Sequence, residues 1–114
     1  MHEASLVMSM LEIAEREARA AGATRIALLR VQIGAASSVV PEAFAHAFDA
    51  LRGGTLAGDA ELAIERTPAH FVCIACGEPF TALQAYADCP VCGAPGLTHP
   101  DEGRSLQLVS LEVD

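Results

Sequence analysis

Leu6, Val7, Met10, Leu11, Ala14 and Ala18 recur at intervals of three and four residues, while Glu12, Glu15, Arg16 and Arg19 take the opposite face. That spacing predicts an amphipathic helix. Glu12 with Arg16 and Glu15 with Arg19 make favourable i,i+4 pairs worth about 0.3 kcal/mol each, and Gly22 supplies the stop. Ser5 is the candidate cap, but position 8 is Met rather than Glu or Gln, so there is no capping box. Thr24 to Ile33 reads as a strand ended by Gly34, with Ala27, Leu29, Val31 and Ile33 inward and Arg30 and Gln32 outward. Ile26 and Leu28 imply cover on both faces near its start. Ser37 and Ser38 then precede a second helix, with Pro41 tolerated in its first turn, an apolar face of Phe44, Ala47, Phe48 and Leu51, and Gly53-Gly54 as its close. From Ala60 to Thr67, Leu62, Ile64 and Arg66 alternate with Glu61, Ala63 and Glu65, which predicts a second strand that Pro68 terminates. Strand chemistry returns only at Ser105 to Val113, through Leu106, Leu108, Val109, Leu111 and Val113.

Between Ala69 and Glu102 no helical period survives; Pro79, Pro90, Pro95 and Pro100 alternate with Gly77, Gly93 and Gly96, and Gly103 follows. This stretch holds all four cysteines, as Cys73-Ile-Ala-Cys76 and Cys89-Pro-Val-Cys92, twelve residues apart. Two CxxC pairs so spaced predict a tetrahedral zinc site, and the glycine after each pair suits the left-handed backbone of a tight turn. Four thiolates leave no open position for a reacting water, so the expected role is structural. The same ligands also suit a single iron, which would make the chain an electron carrier, and an oxidising compartment would pair them as disulfides. Export is not expected: Met1 to Ala20 has no basic opening, and Glu3, Glu12, Glu15 and Glu17 break any apolar run. The cysteines are therefore expected to be reduced and the protein cytoplasmic. The stretch buries too little apolar surface to fold alone, so metal binding should contribute most of its folding free energy. The last strand has no partner in its own segment and should rejoin the first sheet. The expected fold is α+β: two helices packed on a three-stranded sheet (1–68 and 104–114), with a zinc-ribbon-like module (69–103) inserted.

Composition narrows the function. With 52% hydrophobic residues, 114 residues can bury a core, yet no stretch approaches the ~20 apolar residues that span a membrane. Seven basic residues against fifteen acidic ones give a net charge of −8, and residues 69–102 contain no Lys or Arg, which counts against nucleic-acid binding. No GxSxG motif or phosphate-cradling glycine loop is present and the cysteines are committed as ligands, so no enzyme is expected. His46 falls on the polar face of the second helix beside Glu42 and Asp49, which reads as a solvated histidine rather than a ligand. His70 and His99 flank the cysteine segment, either supporting the metal from outside or simply packed or solvated. His2 differs by its position. Methionine aminopeptidases spare Met before a large residue, so Met1 should stay and place a free α-amine close to an imidazole. Amine, deprotonated backbone amides and imidazole form a planar nitrogen set that suits Ni(II) or Cu(II). By itself, a histidine at position 2 reads as an incidental surface histidine rather than a ligand.

The opening Met1-His2-Glu3-Ala-Ser-Leu, the strand ending at Gly34, Pro41-Glu42 leading to Phe44 and Ala47-Phe48, the Cys73/Cys76 and Cys89/Cys92 pairs, and the closing Leu108-Val-Ser-Leu-Glu112 resemble the HypA/HybF family from end to end. The resemblance implies a nickel metallochaperone for maturation of nickel–iron hydrogenase, sometimes also serving urease. It implies that His2, the Met1 α-amine and neighbouring backbone nitrogens bind Ni(II), with Glu3 at the site, while Cys73, Cys76, Cys89 and Cys92 hold structural zinc. Nickel would then belong to 1–68 and 104–114, and zinc to 69–103. The implied partners are the nickel-handling GTPase HypB and the hydrogenase large subunit, with a homodimer left open. Some relatives place a carboxylate between Gly34 and the second helix; this chain has Ala35-Ala-Ser-Ser-Val-Val40 there. The alternative is a zinc-ribbon interaction module with no nickel role.

Overall fold

The computed structural model describes the backbone of residues 2–98 and 106–114, with the side chains of all of these except His2. Expectations that fall on Met1, His99, Pro100, Glu102, Gly103 and Ser105 lie outside the described residues. Helix α1 (His2–Ala20) buries the predicted stripe of Val7, Met10, Leu11, Ala14 and Ala18. Its start differs from expectation: the helix already includes His2, so Ser5 lies inside it and is no cap. Glu3 in the first turn favours that start, because its carboxylate faces the positive end of the helix dipole. The far end follows the sequence closely. Gly22 adopts φ +76°, its N–H donates to Arg19 O at 2.9 Å, and the Ala23 N–H donates to Ala18 O at 2.9 Å, the two bonds of a Schellman cap.

Strand β1 (Ile26–Gly34) buries Leu29, Val31 and Ile33 and exposes Arg30; Ile26 is fully buried too, so the strand is covered on both faces where it begins. Helix α2 (Pro41–Leu51) has Pro41 in its first turn and buries Phe44 and Phe48. Its N-cap is Val40, whose side chain makes no capping bond, so neither Ser37 nor Ser38 has that role. Strand β2 (Glu61–Thr67) follows. After the cysteine segment the chain returns as β6 (Leu106–Val113), and the sheet order β2-β1-β6 confirms that the last strand rejoins the first sheet. Arg25–Asp114 at 3.3 Å and Arg30–Glu112 at 3.7 Å add exposed, individually weak ion pairs.

The chain divides into two compact units, 1–31 with 39–65 and 107–114, and 32–38 with 66–106. In the first, Val7, Leu11, Ile26, Leu29, Phe44 and Phe48 form an ordinary apolar core. The connection from α2 to β2 is held there by Arg52, which no periodicity reveals. Its guanidinium stacks 4.5 Å over the Phe48 ring, pairs with Asp49 at 3.2 Å, and donates Nε to Ala57 O at 3.2 Å and Nη2 to Ala60 O. Glu15 secures the same connection by accepting the Leu56 N–H at 3.0 Å.

The second unit has a sheet that the sequence reading lacked. β3 (Ala69–Cys73), β4 (Pro79–Ala82) and β5 (Gly96–Leu97) pair antiparallel in the order β4-β3-β5. Strands of two to five residues are too short to show alternation. Phe71 faces Phe80 across the ladder and their rings stack at 5.3 Å and 11°. Ala35 and Ala69 are buried with Phe71, and Ala36, Phe80, Ala82 and Ala87 pack around them.

Arg52→Ala should destabilise the first unit by about 1–3 kcal/mol, because two carbonyls lose their donors and Phe48 loses its cover. Arg52→Lys should recover only part of that, since one ammonium cannot serve both carbonyls in the fork geometry. Chemical denaturation of the three proteins checks this; equal midpoints would contradict it.

Candidate metal centre

Cys73 ends β3, and Ile74-Ala75-Cys76 turn the chain back toward β4. The N–H groups of Ala75 and Cys76 both point at Cys73 Sγ from 3.4 Å, and the Gly77 N–H donates to Cys73 O at 3.1 Å. The second pair repeats the device: the Val91 N–H meets Cys89 Sγ at 3.4 Å, and the Gly93 N–H donates to Cys89 O at 2.9 Å. Gly77 at φ +75° and Gly93 at φ +81° occupy left-handed backbone, which is why each CxxC needs glycine next. Each leading cysteine also donates its own N–H five residues ahead, Cys73 to Glu78 O at 3.0 Å and Cys89 to Ala94 O at 2.7 Å. Ile74 N–H to Pro95 O at 3.1 Å ties the two turns together, and Gly96 N–H to Ala87 O at 3.0 Å closes the chain around the second.

This scaffold brings the four Sγ atoms within 4.8 Å of one another. Individual separations are 3.4 Å for Cys73–Cys92 and 3.8 Å for both Cys76–Cys89 and Cys76–Cys92. A tetrahedron with metal–sulfur bonds of about 2.3 Å has edges of about 3.8 Å, so the thiols are spaced as ligands of one ion. Disulfides would require about 2.05 Å, and all four cysteines are free. Packing thiols this closely spreads their acidities. The Cys76 N–H, foremost, with the Ala75 N–H and neighbouring thiols, overrides burial and draws Cys73 down to about 6. Cys76 has an acidifying N–H from Glu78, yet Cys73 beside it, burial and the other two thiols push it up to about 12. Cys92 is likewise raised despite the Ala94 N–H, chiefly by Cys73. The cluster cannot carry several negative charges unaided; a divalent cation removes that repulsion.

Cys73 and Cys89 are buried and Cys76 and Cys92 exposed. Among the described residues, the four cysteines are the one cluster of three or more His, Cys, Asp or Glu that could hold an ion. His70 is therefore not a ligand there; it sits exposed on β3 opposite Thr81, its carbonyl accepting the Thr98 hydroxyl at 2.8 Å. Sequence reasoning missed Gly96. A Cβ there would lie 2.5 Å from Phe80 Cζ and 3.1 Å from Ala87 O, so only glycine lets β5 close on the aromatic stack, and nothing local in the sequence marks it. At the other candidate site, His2 begins α1, while Glu3 lines a cavity of about 380 Å³ together with Ala4, Ala43, His46, Ala47, Ala50 and Leu51. His46 is exposed, as its place on the polar face predicted, and it also lines that cavity. Among the described residues, no helix is long and apolar enough to cross a membrane.

Residues 1–113 match the family described as "Hydrogenase/urease nickel incorporation, metallochaperone, hypA". The chain is 42% identical over 113 residues to the hydrogenase maturation factor HypA of Picosynechococcus, covering 99% of each. It is 40% identical over 114 residues to that of Rhodopseudomonas palustris, covering 100% of each. It also resembles the solution structure of the Ni metallochaperone HypA from Helicobacter pylori, with a TM-score of 0.67, 29% identity, and coverage of 99% of this chain and 97% of the other.

Cys89→Ser should abolish retention of a resident ion at the thiol cluster and, like a strong chelator, erase amide-exchange protection in β3 and β4 while α1 and α2 stay protected. Gly96→Ala should lower that protection without removing a ligand. Persistence of the β3–β4 protection after complete metal removal would contradict the metal's structural role.

Proposed function

The chain belongs to the HypA family of hydrogenase/urease nickel-incorporation metallochaperones, and from that premise we propose that it is a carrier, not an enzyme, with two separate metal sites. Cys73, Cys76, Cys89 and Cys92 hold a resident zinc ion, and Ni(II) rides as cargo on the Met1 α-amine, the adjacent backbone nitrogens and the His2 imidazole, with Glu3 beside it. The observation that carries this reading is the start of α1 at His2. N–H groups in the first turn of a helix have no intrahelical acceptor, so the amides of His2 and Glu3 can be given up to a metal without breaking the helix ladder.

The two donor sets suit opposite tasks. A closed tetrathiolate holds its ion and offers no exchangeable position, and zinc, which lacks redox chemistry, stabilises such a module without adding reactivity. A terminal set of nitrogens is open to solvent and to a receiving protein. In this reading 1–68 with 104–114 form the nickel-binding part and 69–103 the zinc-binding insert. The cytoplasm is the setting, and the clients are HypB and the hydrogenase large subunit, with urease as a further client. The cysteine unit suits protein contact: Ile74, Tyr86, Val91 and Leu97 are exposed, and no Lys or Arg occurs between residues 69 and 102 to attract nucleic acid. That surface also favours a second reading, a zinc-dependent docking module alone, which would bind zinc but no stoichiometric nickel.

His2→Ala, or added residues ahead of Met1, should eliminate Ni(II) binding while zinc stays at the thiol cluster. Because imidazole and amine must lose protons to bind, affinity should weaken as pH falls through about 6.5, the unperturbed histidine value. Nickel titration with zinc analysis of untagged protein checks both; unchanged nickel affinity in both variants rejects the N-terminal site.

A further inference from the structure

The four cysteines of the cluster differ in what can reach them. Cys73 and Cys89 are 3% and 4% exposed, whereas Cys76 and Cys92 lie open to solvent. Each CxxC thus turns its first cysteine inward and its second outward. Cys73 closes β3, and the N–H groups of Ala75 and Cys76 hold its Sγ within the turn. Cys76 and Cys92 belong to no strand, and each precedes the left-handed glycine that ends its turn. These two exposed cysteines come from different turns, yet their Sγ atoms lie 3.8 Å apart.

Coordination to a divalent ion makes all four sulfurs thiolates, so access rather than acidity separates them. Oxidants attack the thiolate, and susceptibility follows exposure. The surroundings select the oxidant. Glu78 follows closely after Cys76 and Asp88 immediately precedes Cys89; both are exposed, and residues 69–102 hold no Lys or Arg. An anionic disulfide such as oxidised glutathione meets like charge there, while hydrogen peroxide, small and uncharged, does not.

We propose that Cys76 and Cys92 form a paired oxidation site, which peroxide converts to a disulfide across the two turns with loss of the resident ion. This rests on the reading of the cluster as a resident zinc site. One exposed thiolate attacks a peroxide oxygen, breaking the O–O bond to give a sulfenic acid and hydroxide. The other attacks the sulfenic sulfur and expels a second hydroxide, so two thiolates lose the two electrons that the peroxide gains. Zinc has no redox chemistry of its own, so sulfur supplies both electrons. The two Sγ atoms close from 3.8 Å to about 2.05 Å, a small movement between short turns. Cys73 and Cys89 then remain as two of four ligands, too few for a closed tetrahedral site. The second unit loses the cohesion that its ion supplies, and a thiol reductant reverses the change.

The test uses full-length protein carrying its zinc, hydrogen peroxide as the probe and Cys92→His as the variant. Histidine keeps four zinc ligands while removing one exposed thiol. A chromogenic chelator follows zinc release, and alkylation with peptide mass spectrometry maps the disulfides. In the unmodified protein Cys76–Cys92 should be the first disulfide, zinc should appear in step with it, and a dithiol reductant with added zinc should restore the site. Cys92→His should lose that bond and the release coupled to it; where this variant binds zinc poorly, the mapping in the unmodified protein decides. Any other first disulfide, the nearer Cys73–Cys92 pair included, would overturn the proposal, as would thiols that stay reduced or zinc that stays bound after Cys76–Cys92 has formed. Protein that holds no zinc before peroxide is added would instead reject the resident-ion reading, and this proposal with it.

Discussion

Four thiols forced to within 4.8 Å of one another are the constraint on which the second unit depends. Their backbone N–H partners soften the charge on sulfur but do not remove it, as the spread from about 6 at Cys73 to about 12 at Cys76 shows. A cation at the centre turns that repulsion into the main source of cohesion. The unit needs such a source: its strands are two to five residues long and its buried core is one phenylalanine among alanines, with Phe80 stacked beside it.

The first unit solves the same problem conventionally, with Phe44 and Phe48 from α2, the stripe of α1, and Ile26, Leu29 and Val31 from β1. Such a core holds without a metal. Under the proposed function, a terminal donor set would therefore gain and lose an ion while the helices carrying it stay folded. A protein that must keep one ion and pass on another benefits from this division, because the free energy of the exchangeable ion is then not folding free energy.

Where one element's own face carries the signal, the sequence was legible. The α1 stripe, the glycine that ends it, the buried phenylalanines of α2 and the return of β6 all follow from spacing or from a strand lacking a local partner. The CxxC-Gly repeats were legible for a related reason, since each turn closes its hydrogen bonds within a few residues. The start of α1 shows the limit: the sequence left it open with Ser5 as a candidate cap, whereas the helix already includes His2 and has Glu3 in its first turn.

By itself, the sequence determined the two helices, the principal strands, the cysteine turns and the end-to-end family likeness, because each rests on contacts between near neighbours or on residue identity alone. Only the tertiary structure decided the pairing of β3 with β4 and β5, the need for glycine at position 96 beneath Phe80, the service of Ala35 in covering Phe71, the grip of Arg52 on the 52–60 connection, and the meeting of Glu3 with His46 on one cavity. These depend on how close segments come after folding, and residues that meet across irregular separations leave no periodic trace of that proximity in the chain.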